Sequence, residues 1–257
     1  MKVLQAEHID LRYGGVHALN DVSINVDSDC VHAIIGPNGA GKTSLLNVFS
    51  GVAKPTSGTI TVAGTGISRK PVSSVARAGL ARTFQNIQLF PEATVLENVL
   101  IGAEAQARIG LARSVLRTPA ARAATRAARA TAEECITLVG LAARADGVTG
   151  ALPYGNQRLL EIARALATGP KVLLLDEPGA GFNPQEKVEL ARLIQTVKGR
   201  GVAVVLVEHD MPLVMGIADR VSVLNFGTKI AEGTPAEVAN DPVVIDAYLG
   251  ADDEEEA

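Results

Sequence analysis

The segment Gly36-Pro37-Asn38-Gly39-Ala40-Gly41-Lys42-Thr43 constrains this chain more than any other. It fits the pattern GxxxxGK followed by Ser or Thr. It comes after the apolar run Val31-His32-Ala33-Ile34-Ile35 and leads into Ser44-Leu45-Leu46-Asn47-Val48-Phe49, which reads as a helix closed by Gly51. Strand, glycine loop and helix in that order form the context in which such a loop binds phosphate. Glycines let the backbone curl until successive N–H groups face phosphate oxygens, and the helix N-terminus adds a favourable dipole. Residues 36–44 would then cradle a nucleoside triphosphate, with Lys42 on the outer phosphates and the Thr43 hydroxyl on Mg²⁺.

The rest of the chain supplies a matching frame. Residues 3–35 read as short strands with polar turns, Val22-Ser23-Ile24-Asn25-Val26 alternating strictly, and Thr59-Ile60-Thr61-Val62-Ala63 is a further β-branched strand. This opening section predicts an antiparallel β layer beside the phosphate loop. From about residue 94 to 145 the chain turns Ala- and Arg-rich and helical, with a break at Thr118-Pro119. An α/β alternation then resumes: an amphipathic helix over 157–167, apolar strands at 172–175, 202–207 and 221–224, and a helix over 184–198 with Pro near its start and Gly199 at its end. Apolar strands separated by helices predict a parallel sheet covered on both faces. The domain reading is a β layer and first part of the core over 1–93, a helical subdomain over 94–156, the remaining core over 157–240, and a C-terminal segment over 241–257.

Composition narrows the classes. Hydrophobic residues make up 47% of the chain and aromatics 3%, so the core must be aliphatic. A net charge of −4 argues against general nucleic-acid binding. Cys30 and Cys135 have no metal-like spacing and read as reduced core residues. Glu7, His8, Asp10 and Arg12 interrupt any apolar leader, and no apolar run approaches the ~20 residues that span a bilayer, so a membrane role would come through partners. The run Asp252-Asp253-Glu254-Glu255-Glu256 reads as a solvated, disordered end. Arg122, Arg126 and Arg129 share a helical face that reads as solvated rather than lipid-binding, lacking aromatic or Leu partners. His8, His17 and His32 read as structural.

The second chemical element is Val172-Leu173-Leu174-Leu175-Asp176-Glu177-Pro178, an apolar strand ending in two acids. Asp176 can hold Mg²⁺ through water, and Glu177 can polarise an attacking water. With Gln85 after Arg82-Thr83-Phe84, His209 after the strand at 202–207, and Leu152-Pro153-Tyr154-Gly155-Asn156-Gln157-Arg158 between the two acidic and phosphate motifs, the chain resembles an ATP-binding cassette (ABC) ATPase over about residues 1–250. The family order of five motifs carries the likeness. It implies a P-loop fold with an antiparallel β layer and a helical subdomain, and it implies ATP and Mg²⁺ as ligands. Tyr13 resembles the aromatic that stacks on adenine. Gln85 resembles the glutamine that senses Mg²⁺ and the attacking water, and His209 the switch histidine on the γ-phosphate. Glu177 takes the place of the general base.

Two departures stand out. Asn183 falls where the family usually has an Asp, keeping a hydrogen-bonding tip without the charge. Residues 153–156 occupy the place of the family's LSGGQ signature, which reaches a second subunit's ATP. Pro153 replaces the Ser, Tyr154 the first Gly and Asn156 the Gln. Proline brings neither hydroxyl nor N–H but suits a helix start, so recognition in trans would rest on the N–H groups of Gly155 and Asn156. One lost neutral hydrogen bond is worth roughly 0.5–1.5 kcal/mol, which puts turnover rather than binding in question.

The segments LPYGNQRLLEIARALAT, Gly179-Ala180-Gly181-Phe182-Asn183-Pro184 and the C-terminal stretch 233–250 resemble the importers for branched-chain amino acids, a subgroup that tolerates Tyr in the signature. That resemblance implies two transmembrane permease subunits, a second cassette (identical or different), and an extracytoplasmic binding protein, with this chain peripheral at the cytoplasmic face of the membrane. Urea- or amide-type importers share much of the pattern. A soluble, nucleotide-gated ABC protein of low turnover is the reading from another class; Glu177 and His209 weigh against it.

Overall fold

A computed structural model describes residues 1–107 and 119–255. They form two compact units, Met1–Arg82 with Lys171–Ala257, and Thr83–Pro170.

The first unit contains two sheets. In one, β1 (Lys2–Tyr13), β2 (Val16–Asp27), β4 (Ser57–Val62) and β5 (Thr65–Gly66) are antiparallel in the order β2-β1-β4-β5, the expected β layer. β1 and β2 are long strands of 12 residues rather than short ones. Their ladder slips at several points, one of them between Ala6 and Ile9, where His8 has φ +53. Such bulges bend a strand without ending it. The alternation at 22–26 is realised as buried Val22, Ile24 and Val26.

The other sheet runs β10-β9-β3-β8-β7-β6, from β3 (Val31–Ile35), β6 (Leu80–Arg82), β7 (Val172–Asp176), β8 (Ala203–Val207), β9 (Arg220–Asn225) and β10 (Thr228–Gly233). All neighbours are parallel except β10, which returns antiparallel on β9. β3, β7 and β8 are buried at every residue, and the two faces of β3 meet different cores. Ile34 packs with α1 (Lys42–Phe49) and the β layer, whereas Ala33 and Ile35 pack with Val214, Val238 and Val244 on the opposite side. That two-sided burial is why these strands read as unbroken apolar runs. Phe49, Leu45 and Leu46 from α1 are fully buried in the first of these cores. Helix α2 (Val72–Ala78) precedes β6.

In the second unit, α3 (Val95–Ala107), α4 (Pro119–Leu138) and α5 (Tyr154–Ala167) pack together. This unit is wider than the expected 94–156. It begins at Thr83 and includes all of the helix that was expected to belong to the core. The reason lies at Gly102, where a Cβ would stand 2.3 Å from the Arg164 carbonyl oxygen. α3 and α5 meet at backbone distance, so the apolar face of α5 is spent on α3. α4 is described from Pro119 onward; the break expected at Thr118-Pro119 falls at the edge of residues 108–118, which lie outside the described residues. Arg122, Arg126 and Arg129 are exposed while Ala121, Ala128 and Ala132 are buried, the solvated basic face expected. Asn98 is fully buried and fully used: its two amide hydrogens are shared among the carbonyls of Phe90 and Thr94 and Thr149 Oγ1, and its oxygen accepts from Phe90 N–H.

Helix α6 (Pro184–Gly199) follows β7, α7 (Met211–Ile217) follows β8, and α8 (Pro235–Ala239) and α9 (Pro242–Glu255) end the chain. The backbone of the acidic run is helical as far as Glu255, in place of the disordered end expected. Cys30 and Cys135 are free and buried, and burial pushes the Cys30 thiol up to about 11.

Candidate functional site

The register of the parallel sheet assembles the site. Val207 of β8 is the ladder partner of Ile34 on one side and Asp176 on the other. Three strands therefore end level, and the chain leaves the sheet at one edge through Gly36, Glu177 and Glu208-His209. Loops beyond the carboxyl ends of parallel strands are where α/β sheets bind ligands.

At the first exit the loop 36–43 is held by geometry that only glycine allows. Gly36 has φ +150, and a Cβ there would lie 2.1 Å from the Leu224 carbonyl oxygen; Gly41 has φ +99 and would meet the Ala18 carbonyl oxygen at 2.8 Å. The Gly227 N–H donates to the Ala40 carbonyl, and the Asn20 N–H to the Gly227 carbonyl, tying the loop to the β9–β10 turn and to β2. Gly41 is the N-cap of α1, and no side chain caps the first turn, which holds Thr43 and Ser44. Lys42 Nζ donates to the carbonyls of Gly36 at 2.6 Å and Pro37 at 2.8 Å. Partial burial lowers the Lys42 ammonium from its ordinary value, opposed by the charges of Glu177 and Asp176. A close-packed glycine cradle, an uncapped helix start and one lysine between them fit a phosphate chain.

At the second exit, Asp176 and Arg82 form a buried pair, Arg82 Nη2 to Asp176 Oδ2 at 2.9 Å with side-chain exposures of 5% and 4%. Arg82 Nη1 also donates to Asn47 Oδ1 and Ser50 Oγ of the α1 end. The pair thus locks the end of β7 to the helix that follows the phosphate loop. Glu177 carries φ +47, a left-handed conformation that costs a non-glycine residue roughly 1–2 kcal/mol. It is held there by its N–H on the Val207 carbonyl. Thr43 and Asp176 together would hold Mg²⁺, whose need for few protein ligands beside water and phosphate suits this sparse oxygen set.

At the third exit Glu208 is buried. Its Oε1 accepts from Gly179 N–H at 2.7 Å and its Oε2 from His209 N–H at 3.2 Å, joining the segment after Glu177 to the histidine. The His209 side chain is 71% exposed. Asp210 caps α7 through Leu213 N–H and pairs with Lys187 of α6. Asn183 is itself an N-cap: its oxygen accepts from Gln185 and Glu186 N–H at 2.9 Å, and Glu186 reaches back to Asn183 N–H. The missing charge at this position is therefore no loss to the local fold, since Asn and Asp cap equally well. Tyr13 ends β1 at a hairpin tip and is 49% exposed. Burial raises the Tyr248 hydroxyl of α9 above its ordinary value, opposed by the Gly36 backbone of the phosphate loop.

Gln85 and residues 153–156 belong to the second unit, and there they are joined. Pro153 is the N-cap of α5, which starts three residues earlier than periodicity predicted. Arg158 donates to the carbonyls of Phe84, at 2.8 Å, and Gln85. Sequence reasoning passed over Arg82, Arg158, Glu161, Glu208 and Tyr248. A charge inside or directly after an apolar stretch was the available signal at Glu208 alone.

A family model described as ABC transporter matches residues 19–180, and one described as Branched-chain amino acid ATP-binding cassette transporter matches residues 228–254. The chain belongs to the ATP-binding cassette family. It is 45% identical, over 96% of its length and 98% of the relative's, to the high-affinity branched-chain amino acid transport ATP-binding protein LivG of Salmonella typhimurium. It is 42% identical over the same shares to BraF of Pseudomonas aeruginosa. Among solved structures it resembles a nucleotide-free ATP-binding cassette (TM-score 0.83, 32% identity, 96% of this chain and 99% of that one). The ADP conformation of the cassette MJ1267 matches with the same score and identity over 97% and 99%. The P-loop α/β fold with its antiparallel layer is thus that of an ABC ATPase, and ATP is the nucleotide this cassette takes.

Proposed function

We propose that the chain is the ATP-hydrolysing subunit of an importer for branched-chain amino acids. Whole-length likeness to LivG and BraF carries this reading, reinforced by the C-terminal match over residues 228–254. Lys42 and the N–H groups at the start of α1 bind the phosphates, and Tyr13 stacks on the adenine. Thr43, Asp176 and Gln85 are the residues that would hold Mg²⁺, Asp176 through water, and the ion would neutralise phosphate charge. Glu177 accepts the proton of the attacking water, Gln85 orients that water, and His209 meets the γ-phosphate. Asn183 caps α6 beside them.

In this reading a second cassette, identical or different, offers its own signature segment to this ATP, and receives residues 153–156 of this chain on its own. With Pro153 as a helix N-cap, Tyr154, Gly155 and Asn156 present N–H groups rather than a serine hydroxyl. Two transmembrane permease subunits and an extracytoplasmic binding protein complete the assembly, with this chain peripheral at the cytoplasmic face and no nucleic acid involved. No described helix is long and apolar enough to cross a membrane. Uptake of labelled leucine and labelled urea by cells lacking this chain decides the substrate. Loss of leucine uptake, restored by the wild-type chain, is expected; loss of urea uptake alone would overturn the assignment.

A further inference from the structure

Arg158 and Glu161 are 4% and 2% exposed, yet neither serves a core. Together they grip the backbone that carries Gln85. Arg158 donates from Nη1 to the Phe84 carbonyl at 2.8 Å and from Nη2 to the Gln85 carbonyl, while Glu161 Oε1 accepts from Gln88 N–H at 2.7 Å. The two side chains meet each other at 3.4 Å. The third edge of the guanidinium goes elsewhere: Arg158 Nε donates to the Tyr154 hydroxyl at 3.1 Å, and the guanidinium carbon lies 5.4 Å from the Tyr154 ring centroid. Tyr154 is half-exposed, in the segment expected to face another subunit. An apolar pair of the same volume would fill this space at no desolvation cost. What a rigid planar fork adds is a fixed geometry between one exposed ring and two backbone carbonyls.

We propose that Arg158 is a positioning residue coupling residues 153–156 to Gln85 of the same chain. Contact of Tyr154 with a neighbouring cassette's nucleotide restricts the ring, the ring holds the guanidinium, and the guanidinium fixes the carbonyls of Phe84 and Gln85. The Tyr at this position, where the family usually has Gly, is then the part that makes the coupling. The coupling in trans rests on the two-cassette reading above; the clamp within the unit does not.

Removing Arg158 would leave buried Glu161 uncompensated and confuse coupling with unfolding. Tyr154→Phe is the informative variant, since it removes one hydroxyl from a half-exposed ring. Amide hydrogen exchange of the full chain is followed at residues 84–88, with β7 amides as the reference. In the isolated chain, Tyr154→Phe speeds exchange at 84–88 about fivefold, as loss of one ordinary hydrogen bond on a half-exposed ring allows, and leaves β7 unchanged. Glu161→Gln has its largest effect at Gln88. Equal rates in wild type and Tyr154→Phe would overturn the clamp. In the MgATP-locked assembly of Glu177→Gln with its partner cassette, exchange at 84–88 slows further, and the slowing is lost in Glu177→Gln/Tyr154→Phe. Slowing that survives Tyr154→Phe overturns the coupling. Failure of any assembly to form sinks the two-cassette reading, while the isolated-chain comparison still decides the clamp.

Discussion

Arg82→Met tests how much the buried pair at the second sheet exit contributes. The side chains of Arg82 and Asp176 are 5% and 4% exposed and 2.9 Å apart. Deleting the guanidinium leaves the Asp176 carboxylate uncompensated, which costs about 3–5 kcal/mol in a site this dry. Ser50 Oγ keeps its bond to the Leu46 carbonyl, while Asn47 Oδ1 loses its Arg82 partner but is only partly buried and can turn to water, so the α1 end adds little to that figure. Against a typical global stability of roughly 5–15 kcal/mol this is a large fraction. At about 2–4 °C per kcal/mol for a domain of this size, the melting temperature falls by roughly 10 °C. Guanidinium titration followed by circular dichroism measures it. Arg82→Met/Asp176→Asn removes the stranded charge and recovers part of the loss. A single variant destabilised by under about 1 kcal/mol, or a double variant no better than the single, refutes the reasoning.

Two further outcomes are expected. Asn183→Ala costs about 1 kcal/mol through the lost cap of α6, while Asn183→Asp stays within about 0.5 kcal/mol of wild type by the same titration; equal losses in both would show that the cap is not the role. His32 is fully buried with Nε2 on Ser222 Oγ at 2.9 Å, and burial lowers its pKa from 6.5 to about 4. Between those values the unfolded chain binds the proton and the folded one does not, so stability falls as pH drops from 6.5 towards 4, by roughly 3 kcal/mol in all. His32→Val flattens that slope between pH 6 and 5, and an unchanged slope assigns it to other groups.

The sheet and the phosphate loop were legible because their signals are local. β3, β7 and β8 are buried on both faces and announce themselves as apolar runs; the loop announces itself by spacing. β6, three residues long, carries no periodicity to read. The widening of the second unit depends on Gly102 meeting Arg164, a contact between distant segments. Arg158 and Glu161 are the clearest case. On a helix bounded by solvent they would be a routine i,i+3 surface pair, and only partners more than seventy residues earlier in the chain make them buried. Asn183 is visible in sequence as a departure from the family's Asp, but its role as the N-cap of α6 appears only in the structure.

We infer that Glu177 turns this cassette from a nucleotide binder into an ATPase. The most direct test is phosphate release from MgATP by the chain assembled with its partner cassette and permease subunits, wild type against Glu177→Gln. The variant is predicted to keep MgATP binding, since Lys42 and the glycine cradle are untouched, and to release phosphate at least about 100-fold more slowly, the contribution of a positioned general base. Equal rates for the two proteins would contradict the claim.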